Sequence, residues 1–381
     1  MALLLQTFLF GSDSGKGKSS VEYAWRKLKM LTFLVSVFSC MFLILPQASF
    51  AASTADPNAN AKTQAEYNYL VGLQNNHTLS GQYVENYADM ATINTAAGKY
   101  PALLGMDYAW APISDANIIA WSNAGGIVEV GQHFKNPVTG KLQNSDGSFD
   151  LTPVNLTQLV TPGTALNTTF KGYLDTLVTH LATFQSNNVT VILRLFHEMN
   201  GSWFWWSEVN SNTPAQFKAL WIYTFNYLTA TKGLHNLIWN FSPYQGPNDG
   251  PINVDNYPGS AYVDMVGVSV YYGGNTIPSV TNIPDNKPFA VNEWGYDTGG
   301  QTYNTSSYPP VNIAPMITSL KSRTPKAIYW MAWNGIYSMA YNTGVSTLLA
   351  DPWVITRDEV PAFSGAPDTT APAAPSRLSV Q

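Results

Sequence analysis

Eight short apolar runs separated by helical periods and polar loops predict a (β/α)8 barrel for this chain of 381 residues. The length supports that choice, since such a barrel needs roughly 250 residues and tolerates long insertions. The fourth run, Val189 to His197, supplies another argument. It begins as a β-branched apolar strand, the pattern of a strand buried on both faces, and then places Arg194, His197, Glu198 and Asn200 where the strand should emerge. A barrel puts its chemistry at that end of its strands.

Taken in order, the chain opens on a leader. Arg26-Lys27-Leu28-Lys29 precedes an apolar run from Met30 to Leu45, and Ser49-Phe50-Ala51 follows as a small-x-small cleavage site. Residues 1–51 are therefore expected to be leader and secretory signal, and the mature protein is expected to be secreted, extracellular and free of the membrane. The single cysteine, Cys40, lies inside that segment, so no disulfide is expected. Gly17-Lys18-Ser19 ends like a phosphate-binding loop, but Ser12 occupies the position of its first glycine.

The barrel domain is expected over 52–365. Its strand candidates are Leu79 to Val84, Ala102 to Asp107, Gly126 to His133, Val189 to His197, Asn236 to Ser242, Val263 to Tyr272, Pro288 to Glu293 and Ala327 to Trp333. A polar helix is expected from Asp56-Pro57 to Asn75-Asn76. Phe170, Leu174, Leu177, Val178, Leu181 and Phe184 draw one helical stripe before Asn187-Asn188. Thr213-Pro214-Ala215-Gln216 is a capping box with proline in the first turn. Behind it Phe217, Leu220, Trp221, Thr224, Phe225 and Leu228 share a face, and Gly233 ends the helix. The polar stretch from Lys135 to about Asn167 follows the third strand and should wall the mouth. Residues 366–381 read as a Pro/Thr/Ala linker and the start of a truncated fibronectin-type module.

Composition narrows the partner. Charged residues are 11% and the net charge is -5, so no basic footprint for nucleic acid exists. Twelve Trp and 21 Tyr suit a neutral polysaccharide, whose apolar C–H faces stack on flat rings. A monomer is expected.

Two carboxylates stand at strand ends, Glu198 after the fourth and Glu293 after the seventh, 293 − 198 = 95 residues apart. That interval fits three β/α units of about 30 residues each, which puts the pair across one barrel mouth. Glycoside hydrolysis needs such a pair, one to donate a proton to the leaving oxygen and one to attack or stabilise the anomeric carbon. No cofactor is needed. Zinc is disfavoured, because Gly201 occupies the position four after His197 where a second histidine would stand. No loop has the EF-hand calcium spacing. His133 reads equally as a sugar contact or a satisfied barrel-end histidine, and Glu129 as a barrel-interior charge with a partner. Trp203 and Trp333 are expected at the sugar, with Trp205, Trp206 and Trp330 in the core.

The run Arg194-x-x-His197-Glu198-Met199-Asn200-Gly201-x-Trp203-Phe204-Trp205-Trp206 resembles the acid/base motif of glycoside hydrolase family 26, whose best-known members are β-mannanases. Ser80-Gly81-Gln82, Gly105-Met106-Asp107-Tyr108, Gly131-Gln132-His133, Thr213-Pro214, Ser242-Pro243 and Glu293-Trp294-Gly295 extend the resemblance over most of the mature chain. It implies Glu198 as acid/base and Glu293 as nucleophile, with retention of configuration. It implies that His197 and Tyr271 hydrogen-bond the nucleophile, that His133, Trp203 and Trp333 line the cleavage subsite, and that Arg194 supports the carboxylates. The resemblance breaks at the sixth strand, where Gly267-Val268-Ser269-Val270-Tyr271 stands against a usual Gly-x-Asp-x-Tyr. Mannan is therefore the first expected substrate, with β-1,3-xylan and mixed-linkage β-glucan as alternatives. A non-catalytic glycan-binding barrel is the reading outside the enzyme class.

Overall fold

The computed structural model describes residues 52–110, 113–208, 212–296 and 308–363. The leader, Gly17-Lys18-Ser19 and the tail from 366 lie outside the described residues.

The eight apolar runs form eight parallel strands: β1 (Thr78–Tyr83), β2 (Leu103–Asp107), β3 (Ile127–Gln132), β4 (Val191–Leu195), β5 (Leu237–Phe241), β6 (Met265–Val270), β7 (Phe289–Trp294) and β8 (Ala327–Ala332). Neighbours in sequence are neighbours in the sheet, and β1 pairs with β8 to close the barrel. Closure leaves this ring without an edge, so its backbone donors and acceptors can be satisfied between strands.

Strand alternation sorts the side chains. On β4, Val191, Leu193 and Leu195 face outward into the layer shared with the helices, whereas Ile192 joins the inner cluster. The outer layer receives the stripe Phe170, Leu174, Leu177, Leu181 and Phe184 from the helix Ala165–Ser186. Burying each such side chain contributes about 1.5–3 kcal/mol. Inside, Leu79, Leu103, Ile127, Ile192 and Ile238 form an apolar floor near the strand N-termini. Tyr67, Leu70 and Leu73 of helix Ala61–Leu73 join them and plug that end.

That first helix differs from expectation. It begins at Ala61, capped by Asn60, rather than near Asp56, whose buried carboxylate lies 2.7 Å from His235 Nδ1. Nor is it simply polar, since one face is buried beneath the barrel. The capping box forms as expected, with Gln216 N–H donating to Thr213 Oγ1 at 3.3 Å and Thr213 N–H to Gln216 Oε1 at 2.9 Å. Its helix spans Pro214–Asn226 and then widens into a π-type turn, Tyr227–Thr231, before Gly233. The stretch from Lys135 contains a short helix, Leu156–Val160, that its composition did not announce.

Candidate active site

Strand β4 delivers its site residues through a strained turn. Phe196 and Glu198 both adopt the left-handed region, at φ 50° and 54°. A bulky residue there costs about 1–3 kcal/mol and persists only where its surroundings over-determine it. Phe196 is fully buried among Phe134, Phe170, Trp206 and Phe217. The Glu198 N–H donates to the Ser242 carbonyl at 2.6 Å, which ties the turn to the end of β5. The reversal swings Glu198 into a cleft of about 600 Å³.

Glu198 is 7% exposed, and Trp203 Nε1 donates to its Oε2 at 2.6 Å. Burial is the main force on its titration, with Glu293 adding repulsion; together they push its pKa up to about 8. Ser269 and Trp203 pull weakly the other way. Ser269 borders the carboxyl, but its Oγ lies outside hydrogen-bond geometry to any described group. At neutral pH this carboxyl holds its proton. Gly201 makes room for Trp203, since a Cβ there would sit 2.5 Å from the indole ring.

Glu293 sits in a different environment. Arg194 Nη1 donates to its Oε1 at 2.5 Å, and the Tyr271 hydroxyl donates to its Oε2 at 2.8 Å. The register of β7 slips against both neighbours near this residue, as bulged strands do when they re-aim a side chain at a barrel rim. Arg194 is fully buried, and its Nε donates to Glu129 Oε1 at 2.8 Å. Glu129 also accepts from the Tyr329 hydroxyl, which in turn accepts from Asn240 Nδ2 at 2.9 Å. The interior charge expected at Glu129 therefore has its partners.

The cleft is lined by His133, His197, Glu198, Trp203, Tyr271, Glu293 and Trp333, with Arg194 behind Glu293. The eight residues singled out from the sequence thus converge. His133 faces the cleft, and its Nδ1 lies 2.8 Å from Asp107 Oδ2. Trp333 stacks on Tyr83 with ring centroids 3.8 Å apart. Trp205, Trp206 and Trp330 are core, as expected.

No described hydrogen bond joins His197 to Glu293. His197 is 2% exposed, its Nδ1 lacks a partner, and its ring packs against His133 and Phe204. Burial, then the neighbouring His133 and Arg194, depress its pKa well below the usual histidine value, so the ring is neutral. Arg194 occupies the place beside Glu293 that the resemblance assigned to it.

Other lining residues carried weaker signals. Glu85, Trp110, Tyr244, Tyr272, Asn334 and Tyr337 also face the cleft. Most follow a strand end directly, which is the one cue that could have found them. Phe149, from the polar stretch after β3, stacks on His133 at 5.6 Å, so that stretch does wall the mouth.

A closed parallel barrel with one protonated and one arginine-bound glutamate across its C-terminal mouth is the architecture of a glycosidase. The chain matches glycosyl hydrolase family 26 over residues 55–359 and belongs to that family. It is 29% identical over 367 residues to a mannan endo-1,4-beta-mannosidase of Bacillus subtilis, covering 88% of this chain and 97% of that protein. Mannan endo-1,4-beta-mannosidase A and B of Caldalkalibacillus mannanilyticus is 30% identical, with 86% of this chain and 67% of that protein covered. The solved structure of a Bacillus subtilis mannanase superposes with a TM-score of 0.69 at 30% identity, covering 83% of this chain and 98% of the other.

Proposed function

We propose that this glycoside hydrolase is a secreted, monomeric endo-β-1,4-mannanase, acting by double displacement with Glu198 as acid/base and Glu293 as nucleophile. The observation that carries the residue roles is the contrast between the two carboxylates. Glu198 is kept protonated by burial, whereas Glu293 accepts from a guanidinium and a phenol. Glu293 attacks the anomeric carbon while Glu198 gives its proton to the leaving oxygen. The resulting Glu198 carboxylate then takes a proton from water, which attacks the same carbon and releases Glu293. Two attacks on one carbon retain configuration. Mannan is supported by the named activity of the relatives in Bacillus subtilis and Caldalkalibacillus mannanilyticus. Export is supported by the charged, apolar and small-residue order of 26–51.

Ser269 favours a second reading on the same machinery, β-1,3-xylan or mixed-linkage β-glucan, because it puts a hydroxyl beside Glu198 where mannan-cutting relatives are expected to carry a carboxylate. Release of reducing ends from mannan, glucomannan, β-1,3-xylan and barley glucan separates these substrates. Glu293→Ala should abolish turnover on the preferred polymer and leave binding to it largely intact. Hydrolysis retained in that variant defeats the assignment of Glu293.

A further inference from the structure

Beneath the cleft, one guanidinium serves two carboxylates. Arg194 on β4 donates from Nε to Glu129 Oε1 at 2.8 Å and from Nη1 to Glu293 Oε1 at 2.5 Å. All three side chains are buried, and no second cation pairs with either carboxylate among the described residues. Glu129, on β3, is not among the residues that line the cleft, so it acts on substrate only through others.

Both oxygens of Glu129 are taken by donors. Its Oε2 accepts from the Tyr329 hydroxyl, whose own oxygen accepts from Asn240 Nδ2 at 2.9 Å. Arginine has no acceptor to offer in return, so the ionised form of Glu129 is the one this geometry satisfies. Burial works against that charge, while Arg194 and the Tyr329 phenol work for it. A side chain that only filled this space would serve the fold better as an apolar residue, because burying an ion is costly.

We propose that Glu129 is a positioning residue for both displacements: by drawing on Arg194, it sets how strongly the guanidinium holds Glu293. This rests on Glu293 being the nucleophile. Before reaction the positive charge of Arg194 is divided between two carboxylates, and Glu293 keeps electron density for attack. When Glu293 attacks the anomeric carbon, the bond to the leaving oxygen breaks with its electron pair, and the carboxylate becomes a neutral ester. Arg194 then pairs with Glu129 alone, so no uncompensated cation is left buried beside the covalent intermediate. In the second displacement water attacks that carbon and passes a proton to Glu198. The bond to Glu293 breaks, and the returning carboxylate regains its share of Arg194. Glu129 thus offsets a charge that would otherwise favour departure of Glu293 over its attack.

The test uses the full chain at neutral pH and a 2,4-dinitrophenyl 2-deoxy-2-fluoro-β-mannobioside. The rate of inactivation reads the first displacement. The rate at which activity returns, once excess reagent is removed, reads the second. In Glu129→Gln the amide oxygen still accepts from Arg194, but the positive charge falls undivided on Glu293. Inactivation should slow about fivefold and reactivation should quicken about fivefold, equivalent to about 1 kcal/mol on each barrier. Tyr329→Phe does the reverse, because it leaves Arg194 as the remaining donor to Glu129 and draws the guanidinium away from Glu293. Inactivation should then quicken, and reactivation slow, by about twofold each. A purely structural role would slow both steps together. A fall in both rates, unchanged rates in Glu129→Gln, or shifts of the same sign in the two variants each overturns the proposal. Tyr329→Phe decides alone if Glu129→Gln does not fold. Peptide masses of the inactivated parent keep the underlying reading separate: a label on Glu293 establishes the nucleophile whatever the variants do, and a label elsewhere overturns both. A parent untouched by the mannobioside but labelled by the matching β-1,3-xylobioside or cellobioside overturns only the mannan reading, and the same two rates then decide on that reagent.

Discussion

Replacing Glu198 by Gln should stabilise the fold at alkaline pH while destroying activity on polysaccharide. The wild-type carboxyl titrates at about 8 instead of its ordinary 4.5, chiefly because it is buried. The folded chain therefore holds a proton that the unfolded chain has already released above pH 4.5. Stability is fully present below that value and falls as pH rises to about 8. At about 1.4 kcal/mol per pH unit, the interval from 4.5 to about 8 sets an upper bound near 5 kcal/mol, and relaxation of the site leaves on the order of 2–5 kcal/mol. Glutamine is nearly isosteric, can still accept from Trp203 Nε1, and has no charge to bury. Thermal melts of both proteins at pH 5 and pH 9 read the effect. Near pH 5 the two should melt within a degree or two of each other. At pH 9 the variant should melt higher by at least about 4 °C, taking roughly 2 °C per kcal/mol for a large domain. Glu66 and Asp264, also buried and raised to about 7 and about 6, impose their own slopes. Those slopes are common to both proteins and cancel in the difference. A gap independent of pH, or a variant less stable at pH 9, would refute the assignment of a buried neutral acid.

The same protonation sets the alkaline limb of catalysis: kcat/KM should fall with an apparent pKa near 8 as the proton on Glu198 is lost, read from initial rates between pH 5 and 10. Gly295→Ala would place a Cβ 2.4 Å from the Tyr271 ring and 2.9 Å from that of Tyr337. Tyr271 must then move by about 1 Å, enough to break its bond to Glu293 and lower kcat roughly 100-fold. Its effect should not add to that of Tyr271→Phe in a double-mutant cycle. Arg194→Ala strands two buried carboxylates, Glu129 and Glu293. Urea unfolding should show a loss of about 3–5 kcal/mol, much larger than that of Gly295→Ala.

Parallel strands buried on both faces are legible because apolar residues dominate each run, with only isolated polar residues such as Glu129 inside them, and β4 shows why the site was legible too. Arg194, His197 and Glu198 have no packing reason to end an apolar run, so their chemistry announces itself. What stayed hidden depends on the third dimension. Nothing about a phenylalanine signals a left-handed backbone, yet Phe196 adopts one because four aromatic neighbours hold it. Asn200 stands beside Glu198 in the motif, but its amide is spent clamping Tyr244. His197 sits beside Glu198 in sequence, and nothing in the sequence signals that the reversal there packs its ring against His133. Residues 56–76 read as polar because charge and amide groups outnumber the three apolar side chains that plug the barrel floor.

The two carboxylates are held by different physical means, and this separates their vulnerabilities. Glu293 ends a chain of hydrogen bonds running from Asn240 on β5 through Tyr329 on β8, Glu129 on β3 and Arg194 on β4, with Tyr271 at the end of β6 closing on it. Strands from most of the barrel's circumference thus fix one side chain, so its position cannot drift unless the barrel itself deforms. Burying these charges costs several kcal/mol per ion. Only mutual satisfaction within the chain offsets that cost, which is why Glu129, remote from the cleft, belongs to the same unit as Glu293. Glu198 depends instead on one strained turn and one indole, Trp203. In the proposed mechanism it is the group that gains and loses a proton, and a local support lets its carboxyl do so without disturbing the interior charges that hold Glu293.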